Sequence, residues 1–386
     1  MNQVAAGTLM AASRSSVDPA KARDEVFELW SIPAYDRGVP DLMPGAEIGS
    51  QKQVVMPGDV LLSKIVPHIR RAWVVRPSRD GHRQIASSEW IVFRTAVADP
   101  AYLRHLLTSE RFHAEFMSTV SGVGGSLLRA RPSYVAKIQV PLPPIEEQRR
   151  IASILDKADE LRAKRRAALA HLDSLAQSIF LDMFGDPGPN PRGWPTRSIR
   201  SLATSAAYGT SEKASDAGPV AVLRMGNISS TGRIDVNNLK FMELSDKEFD
   251  RYTVRRGDIL FNRTNSADLV GKTAVYRGEA PMAFAGYLVR LRLAPDADPE
   301  YLGALLNSQW AKTILRAMCK SIVGMANINA NELQNIVVMV PPVDLQRQFA
   351  DTTHAVLARE GIHESALGYH DELFASLQQR AFSGAL

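Results

Sequence analysis

Apolar residues spaced three and four positions apart dominate the middle of the chain. Pro143 and Pro144 open this segment, and Gly185-Asp186-Pro187 closes it. The seam positions are Ile151, Ile154, Ala158, Leu161, Arg165, Ala168, Leu172, Leu175 and Ile179, with Arg165 as the polar interruption. This heptad spacing predicts a helix of about 40 residues, about 60 Å long, that packs against another helix. A helix lying on a globular core is the alternative interpretation.

A second seam runs through the end of the sequence, from Val343 to Leu386. Its positions are Phe349, Thr353, Val356, Glu360, His363, Leu367, His370, Phe374, Leu377 and Ala381. Gly361 and Gly368 lie inside this segment and weaken an isolated helix. The segment therefore needs a partner, and the first long helix is the obvious one. Antiparallel packing of the two helices would place the globular parts of the chain at opposite ends of a rod.

Outside the two long segments, short runs of β type alternate with turn motifs and helical spacing. Strands are predicted at 53–56, 60–65, 73–76, 220–225 and 258–261, and helices at 102–116 and 301–318. The predicted fold class is therefore α/β, with two similar mixed α/β bodies separated by two long helices that form an antiparallel coiled coil.

The two halves of the chain repeat each other at a nearly constant separation. The matching pairs are GDVLLSK at 58–64 with GDILFNR at 257–263, PAYL at 100–103 with PEYL at 299–302, LLTS at 106–109 with LLNS at 305–308, and PPIEEQR at 143–149 with PPVDLQR at 341–347. A separation of 199 or 198 residues is too long for solenoid repeats and indicates two duplicated domains. The predicted boundaries are 1–142, 143–185, 186–340 and 341–386, with the Pro- and Gly-rich stretch at 184–195 as the clearest break.

Composition narrows the class of protein only a little. A chain of 386 residues with 45% hydrophobic and 23% charged residues suits two globular domains. Cys319 is the only cysteine, which fits a reducing cytoplasm, and we expect neither a signal peptide nor a membrane span. The excess of 46 basic over 41 acidic residues permits nucleic-acid binding without requiring it.

Motifs for catalysis or cofactor binding are missing from the sequence. Gly271-Lys272-Thr273 resembles the end of a phosphate-binding loop, but Ser266 stands where the first glycine is needed. The histidines form no H-E-x-x-H, and no G-x-S-x-G occurs. We predict no catalytic residue, no metal site and no cofactor.

Basic and amide side chains concentrate in the turns of both bodies. The candidate DNA-binding residues are Lys64, His68, Arg70, Arg71, Ser126, Arg129 and Arg131 in the first body, and Arg224, Asn227, Arg263, Asn265, Lys272, Asn327 and Asn329 in the second. Arg, Lys and Asn are the side chains that pair with base edges and phosphates. Ordinary solvated loops explain them equally well, but the duplication favours two readers of two DNA segments.

Several motifs together resemble a known family. PLPPIEEQRRI at 141–151 precedes the first long helix, and MFGD at 183–186 and NPRGW at 190–194 follow it. Three further motifs belong to the same set: PGDVLLS at 57–63, RTNS at 263–266 and VGK at 270–272. This set resembles the DNA-specificity subunit of type I restriction-modification systems, over nearly all of the chain.

The resemblance implies a non-enzymatic subunit with two target-recognition domains and two conserved helical spacers. Each domain would read half of a split site in double-stranded DNA. The helices would set the gap and dock two modification subunits that carry S-adenosylmethionine and methylate adenine, and a restriction subunit can join them. The alternatives are a stand-alone DNA-binding regulator and an enzyme with unrecognised motifs.

Overall fold

The computed structural model describes residues 2–12, 15–122, 128–266, 269–322 and 325–386. The chain divides into two compact units. The first comprises Met1–Arg166 with Ser365–Leu386, and the second comprises Ala167–Glu364. Each unit therefore contains one α/β body together with parts of two long helices.

The body of the first unit is built on two main sheets that pack against each other, and a layer of helices packs against the smaller of them. Its strands are β1 (Gln3–Ala5), β2 (Ser16–Val17), β3 (Val26–Trp30), β4 (Asp41–Pro44), β5 (Lys52–Val54), β6 (Val60–Ser63), β7 (Ala72–Val74), β8 (Arg83–Ala86), β9 (Trp90–Phe93), β10 (Val120–Ser121), β11 (Arg129–Ala130) and β12 (Gln139–Pro141). Its helices are α1 (Ile32–Arg37), α2 (Pro100–Leu107), α3 (Glu110–Ser118), α4 (Pro132–Val135) and the start of α5 (Ile145–Phe184). The larger sheet has the order β2-β5-β8-β3-β4, with β3 parallel to β8, and the second sheet has the order β7-β6-β9.

The body of the second unit has a similar composition of elements. Its strands are β13 (Thr196–Ser198), β14 (Ala203–Tyr208), β15 (Val220–Leu223), β16 (Lys240–Met242), β17 (Thr253–Val254), β18 (Ile259–Asn262), β19 (Thr264–Asn265), β20 (Thr273–Val275), β21 (Met282–Phe284), β22 (Leu288–Leu293), β23 (Lys320–Ile322), β24 (Met325–Asn327) and β25 (Val337–Met339). Its helices are α6 (Ile199–Leu202), α7 (Asp246–Tyr252), α8 (Pro299–Asn307), α9 (Gln309–Met318), α10 (Ala330–Asn335) and the start of α11 (Val343–Ser383). Its sheets have the orders β14-β22-β18-β20, β16-β15-β21-β17 and β19-β24-β23.

The long helices α5 and α11 pack antiparallel within each unit. In the first unit Arg162 Nε lies 2.5 Å from Asp371 Oδ1, and Arg150 donates to the carbonyl oxygen of Leu386 at 2.9 Å. In the second unit the rings of Phe180 and Phe349 lie 5.7 Å apart, and Asp173 of α5 and Glu360 of α11 contact the same arginine, Arg233. In both units, residues later in α5 therefore lie beside residues earlier in the segment that contains α11. The predicted antiparallel coiled coil of two long helices is confirmed.

The seam predicted for α11 is confirmed, whereas the seam predicted for α5 is wrong at two positions. Every predicted seam residue of α11 is buried or half-buried. On α5, Leu161 and Leu175 are 38% and 41% exposed. Arg162 turns inward instead, because its guanidinium stacks 4.3 Å from the Phe374 ring while pairing with Asp371.

The helices predicted over 102–116 and 301–318 are each broken in two. The break falls in the repeated LLTS and LLNS motifs. Ser109 Oγ accepts a hydrogen bond from the backbone N–H of Phe112 at 3.3 Å, and Ser308 Oγ accepts one from Ala311 at 3.2 Å. A serine in this position caps the N-terminus of a new helix, so the prediction of one continuous helix is wrong.

A buried glutamine joins each body to the first turn of a long helix. In the first unit Gln148 Oε1 accepts from Asp99 N at 2.8 Å and its Nε2 donates to Pro143 O at 2.8 Å. In the second unit Gln346 makes the matching bonds, to Asp298 N at 2.9 Å and to Pro341 O at 2.7 Å. These bonds, termed here the glutamine joint, explain why the PPxxxQR motif occurs in both halves.

The repeated Gly-Asp and Pro-x-Tyr-Leu motifs also make the same contacts in both bodies. Asp59 is buried, accepts from Met56 N at 2.9 Å and pairs with Arg94 at 2.6 Å. Asp258 accepts from Arg255 N at 2.9 Å and pairs with Arg292 at 2.8 Å. The hydroxyls of Tyr102 and Tyr301 each donate to a carbonyl oxygen of the last strand before a long helix, at 2.8 Å. The duplicated motifs thus build the fold and its joint with the helices.

We expect Gln346→Ala to lower the free energy of unfolding by about 2 kcal/mol or more, because it leaves the buried N–H of Asp298 and carbonyl of Pro341 without their partner. Gln348→Ala is the matched control: Gln348 is exposed in the same helical turn, and its replacement should change stability by less than about 0.5 kcal/mol. Urea unfolding followed by circular dichroism measures both. Equal midpoints for the two variants would contradict a stabilising role for the glutamine joint.

Candidate nucleic-acid interface

Three strands of the second body bring aromatic and basic side chains to one edge of a sheet. Strands β14 and β18 both run antiparallel to β22, so their ends lie beside its start. Tyr208 ends β14, Arg263 follows β18 and Tyr287 precedes β22. The Arg263 guanidinium lies 5.0 Å from the centre of the Tyr208 ring, and Arg263 N donates to Tyr287 O at 3.0 Å. Tyr208, Arg263 and Tyr287 are called the aromatic edge below.

Candidate asparagines of the second body lie next to the aromatic edge. Strand β19 pairs with β24, which sets Thr264 opposite Asn327 and Asn265 opposite Ala326. The backbone N–H of Ile328 donates to Arg263 O at 2.9 Å, and that of Ala330 donates to the Tyr208 hydroxyl at 2.9 Å. Asn329 follows in the same segment and caps α10 through a bond from Glu332 N at 2.9 Å. The structure therefore brings Arg263, Asn265, Asn327 and Asn329 together.

The other candidate residues of the second body, Arg224, Asn227 and Lys272, make hydrogen bonds that stabilise a loop. Asn227 is buried, accepts from Arg224 N at 2.9 Å and donates to Asp235 O at 2.9 Å. The Arg224 guanidinium donates to Asn238 O at 2.8 Å, and Lys272 Nζ donates to Ile228 O at 2.9 Å. These bonds organise the segment 224–238 beside the body, and contact of its residues with DNA stays a prediction.

Two candidates of the first body meet around one glutamate. Lys64 and Arg129 lie on paired segments, since Ala130 N donates to Lys64 O at 2.8 Å. Arg129 contacts Glu89 at 3.2 Å, and the Lys64 ammonium lies 4.0 Å from the same carboxylate. Arg131 donates to Ser121 Oγ at 2.8 Å. Lys64, Arg129 and Arg131 thus form one basic region, whereas the candidate Ser126 lies outside the described residues.

The remaining candidates of the first body follow β6. Arg71 is buried and pairs with Asp36 through two bonds of 2.8 and 3.1 Å, so its charge is compensated locally. Arg70 pairs with Glu110 and, through this bond, holds the pKa of that carboxyl below its usual range. His68 is exposed. Exposure at 68–70 leaves this turn accessible to a ligand such as a phosphate.

The two tyrosines of the aromatic edge were not predicted from the sequence. They are 43% and 52% exposed, which is unusual for a large aromatic ring and typical of a contact surface. Each lies beside a glycine, in AYGT at 207–210 and AGYL at 285–288. At Gly209 an added Cβ would lie 2.2 Å from Phe284 O, so only glycine fits there. The sequence feature that could have pointed to these two residues is the position of each tyrosine next to a glycine in a turn.

Neither a metal cluster nor a membrane span is found in the part of the chain that the structure describes. No group of three or more His, Cys, Asp or Glu side chains there is placed to hold a metal ion. No helix among those residues is long and apolar enough to cross a membrane.

Comparison with known proteins identifies relatives of one kind. Residues 86–171 match the family described as type I restriction modification DNA specificity domain. The EcoKI specificity subunit of Escherichia coli K12 is 25% identical over 74% of this chain, and the StySPI specificity subunit of Salmonella potsdam is 23% identical over 74%. The chain is therefore similar to type I restriction specificity subunits. Its matched part spans 65% of the length of each of these two relatives.

Solved structures of the same kind share the fold. A type I restriction-modification S subunit from M. genitalium superimposes with a TM-score of 0.60 over 99% of this chain and 96% of that one, at 10% identity. A chain from a study of complex assembly and conformational transition of a type I system gives a TM-score of 0.58 over 100% and 98%, at 21% identity. At these identities the likeness supports the fold, including two bodies and two long helices.

We expect Arg263→Ala to weaken binding to DNA. If the guanidinium contacts a phosphate, the dependence of affinity on salt should fall by about one unit. If it pairs with guanine, specificity should relax at one base pair by about 1 to 3 kcal/mol. Arg256→Ala is the matched control, because Arg256 is an exposed arginine at the opposite end of β18, where it pairs with Glu279.

Binding titrations at several salt concentrations test both variants. Equal affinity, salt dependence and sequence preference for Arg263→Ala and Arg256→Ala would show that the aromatic edge is not a DNA contact.

Proposed function

We propose that this chain is the non-catalytic DNA-specificity subunit of a type I restriction-modification complex in the cytoplasm. The observation that carries the proposal is the glutamine joint, which attaches two duplicated α/β bodies in the same way to one antiparallel helix pair. Two similar bodies on one helical support suit the reading of two separate DNA segments. The relatives that match are named as specificity subunits, and nothing in the site favours a stand-alone regulator.

Within this proposal, residues 1–142 and 186–340 are the two target-recognition domains, and 143–185 and 341–386 are the helical spacers. Each domain reads one half of a bipartite site in double-stranded DNA. The basic region of the first body and the aromatic edge of the second, with its asparagines, are the proposed contact surfaces.

Exposed apolar side chains on the long helices support a docking role for the spacers. In the first unit these are Leu161, Tyr369 and Leu373. In the second unit they are Leu175, Leu181 and Ile362. Large apolar residues on the outer face of a helix are typical of surfaces that accept a partner helix. One such surface in each unit fits two modification subunits, and restriction subunits would join the complex through them.

Exchanging residues 1–142 for the first domain of another specificity subunit should change one half of the recognised sequence and leave the other half unchanged. The reason is that each body has its own core and its own joint to the helices. Mapping of methylated adenines in a genome that carries the exchanged chain measures both halves. A simultaneous change in both halves would contradict two independent readers.

Shortening the helix pair by one heptad should shorten the gap between the two half-sites. Because Arg162 pairs with Asp371, residues 162–168 and 365–371 are the segments to delete together. Seven residues of helix correspond to about 10 Å, or about three base pairs, and removal of a whole heptad keeps the apolar seam in phase.

The measurement is binding and methylation on DNA duplexes whose gap varies one base pair at a time. Deletion of 162–168 alone is the control, since helices of unequal length should prevent assembly. An assembled, active double deletion that keeps the original gap would mean that the helices do not set the spacing.

A further inference from the structure

In the first unit, two arginines of α5 bind one aspartate of α11. Arg162 Nε lies 2.5 Å from Asp371 Oδ1, and Arg166 Nη2 lies 3.1 Å from the same oxygen. The Phe374 ring supports this arrangement, since the Arg162 guanidinium lies 4.3 Å from its centre. The two long helices of this unit therefore connect directly through an ion pair of their own.

The second unit cannot form this ion pair, because its long helices are acidic at all three corresponding positions. An offset of 198 residues relates the two helices. It assigns Glu360 and Glu364 of α11 to the places of the two arginines, and Asp173 of α5 to the place of the aspartate. The same offset relates two ring contacts, that of Tyr102 with Phe382 and that of Tyr301 with Phe184. Without a cation, like charges on α5 and α11 would repel each other here.

Arg233 of the second body supplies that cation. Its Nη2 contacts both Asp173 and Glu360, the latter at 2.6 Å, and its Nη1 contacts Glu364 at 2.9 Å. The Glu360 side chain is only 4% exposed, so this ion pair is less screened by water than an ordinary surface pair. One side chain of the body thus bridges the two helices that the first unit joins directly.

Arg233 belongs to a loop that is bonded to its own body. The loop connects β15 and β16 over 224–239, whereas the matching connection between β3 and β4 covers only 31–40. Arg233 N donates to Ser229 Oγ at 2.9 Å, and Arg233 O accepts from Ser229 N at 2.9 Å. Lys272 Nζ donates to a carbonyl oxygen of the loop at 2.9 Å. A force on the guanidinium is therefore passed to the second body.

The contact of Arg233 with Glu360 lies far from the glutamine joint of the same body. Gln346 fixes the body to the first turn of α11, and Glu360 lies about 21 Å farther along that helix. In the first unit Arg104 of the body helix α2 binds α5 directly, whereas Gly303 holds the corresponding place in α8. Two attachments this far apart prevent the rotation that a single attachment would allow.

We propose that Arg233 is a positioning residue of the second target-recognition domain. It orients this domain by attaching it to both long helices at the level of Asp173 and Glu360. The helix pair of the first unit makes the equivalent connection without its body. The consequence for DNA recognition rests on the proposed function, whereas the consequence for stability does not.

Thermal unfolding of the full chain tests the ion cluster. Arg233→Ala should lower the melting temperature by about 5 °C or more, because it leaves three carboxylates together, one of them buried. Arg256→Ala is the matched control: Arg256 is an exposed arginine of the same body that pairs with Glu279, and its loss should shift the melting temperature by less than about 1 °C. Addition of Glu360→Arg to Arg233→Ala should restore at least about half of the loss, because it recreates the ion pair of the first unit.

The pH dependence of this loss distinguishes charge from packing. Burial raises the pKa of Glu360, and Arg233 lowers it. Asp173 and Glu364 raise the same pKa, and Arg277 lowers it. Without Arg233 this pKa rises further above its unfolded value, so the destabilisation is relieved as the carboxyl is protonated and grows as the pH rises through the folded pKa. The loss in Arg233→Ala should therefore be smaller at about pH 5 than at about pH 8. An equal loss at both would contradict a role for its charge.

Methylation by the assembled complex tests the positioning of the domain. On duplexes whose gap differs by one base pair from the preferred one, Arg233→Ala should lose about threefold or more of the preference for the correct gap, with both half-site sequences unchanged. The double variant with Glu360→Arg should regain its melting temperature but not this preference, since the body loop stays detached from the helices.

Equal gap preference in Arg233→Ala and Arg256→Ala would overturn the proposal, as would equal melting temperatures. A complex that methylates no duplex at all, even with the unchanged chain, would instead contradict the proposed function, and the melting temperatures would still decide whether Arg233 joins the helices.

Discussion

The glutamine joint is the interaction on which the arrangement of each unit depends. Gln148 and Gln346 are almost fully buried, and each connects the capping aspartate of a body helix to the proline carbonyl that begins a long helix. An amide that donates and accepts in the same buried place fixes two backbone segments at once. Any relative movement of body and helix would break both bonds and leave buried polar groups unsatisfied. Each body is therefore held in a fixed orientation on the first turn of its helix. The proposed function requires this, because a DNA-recognition domain must keep its position on the helix that supports it.

Around this constant joint, the two units use different charged pairs. In the first unit the body supplies Arg104 and His105, which contact Asp156 of α5 at 2.8 and 2.7 Å. In the second unit the body supplies Glu300, which contacts His354 of α11 at 3.1 Å. His354 holds the position in its repeat that Asp156 holds in the first, so a histidine replaces the aspartate on the helix, and a glutamate of the body replaces the arginine and histidine that contact it. Burial, followed by the repulsion from Arg104, lowers the pKa of His105. The duplication has thus preserved the geometry of the glutamine joint and changed the side-chain pairs around it.

The sequence was most informative where a regular spacing had to be satisfied by packing. The seam of α11 was predicted correctly even at Glu360, His363 and His370, because the 3.5-residue period places these residues inward whatever their polarity. The prediction from spacing was wrong at Leu161. The neighbouring Arg162 takes the inward position instead, because the ring of Phe374 and the carboxylate of Asp371 contact its side chain. The prediction was wrong again at Ser109 and Ser308, where a side-chain cap interrupts a continuous apolar period. Both failures come from specific side-chain bonds that a spacing pattern does not encode.

The candidate interface was predictable only in part for a related reason. Arg263, Asn265, Asn327 and Asn329 were singled out by residue type, and they share one sheet edge because β19 pairs with β24 across more than sixty residues of sequence. Arg71, Asn227 and Lys272 were selected by the same criterion, yet each is bonded inside its own body. Counting basic residues in turns therefore overestimates the surface that is available to DNA. Tyr208 and Tyr287 show the opposite error. Both were missed because a search for basic and amide side chains does not find aromatic residues. Exposed aromatic rings beside one arginine give a surface whose affinity depends less on salt than a purely basic patch would, because stacking and van der Waals contact persist when phosphates are screened.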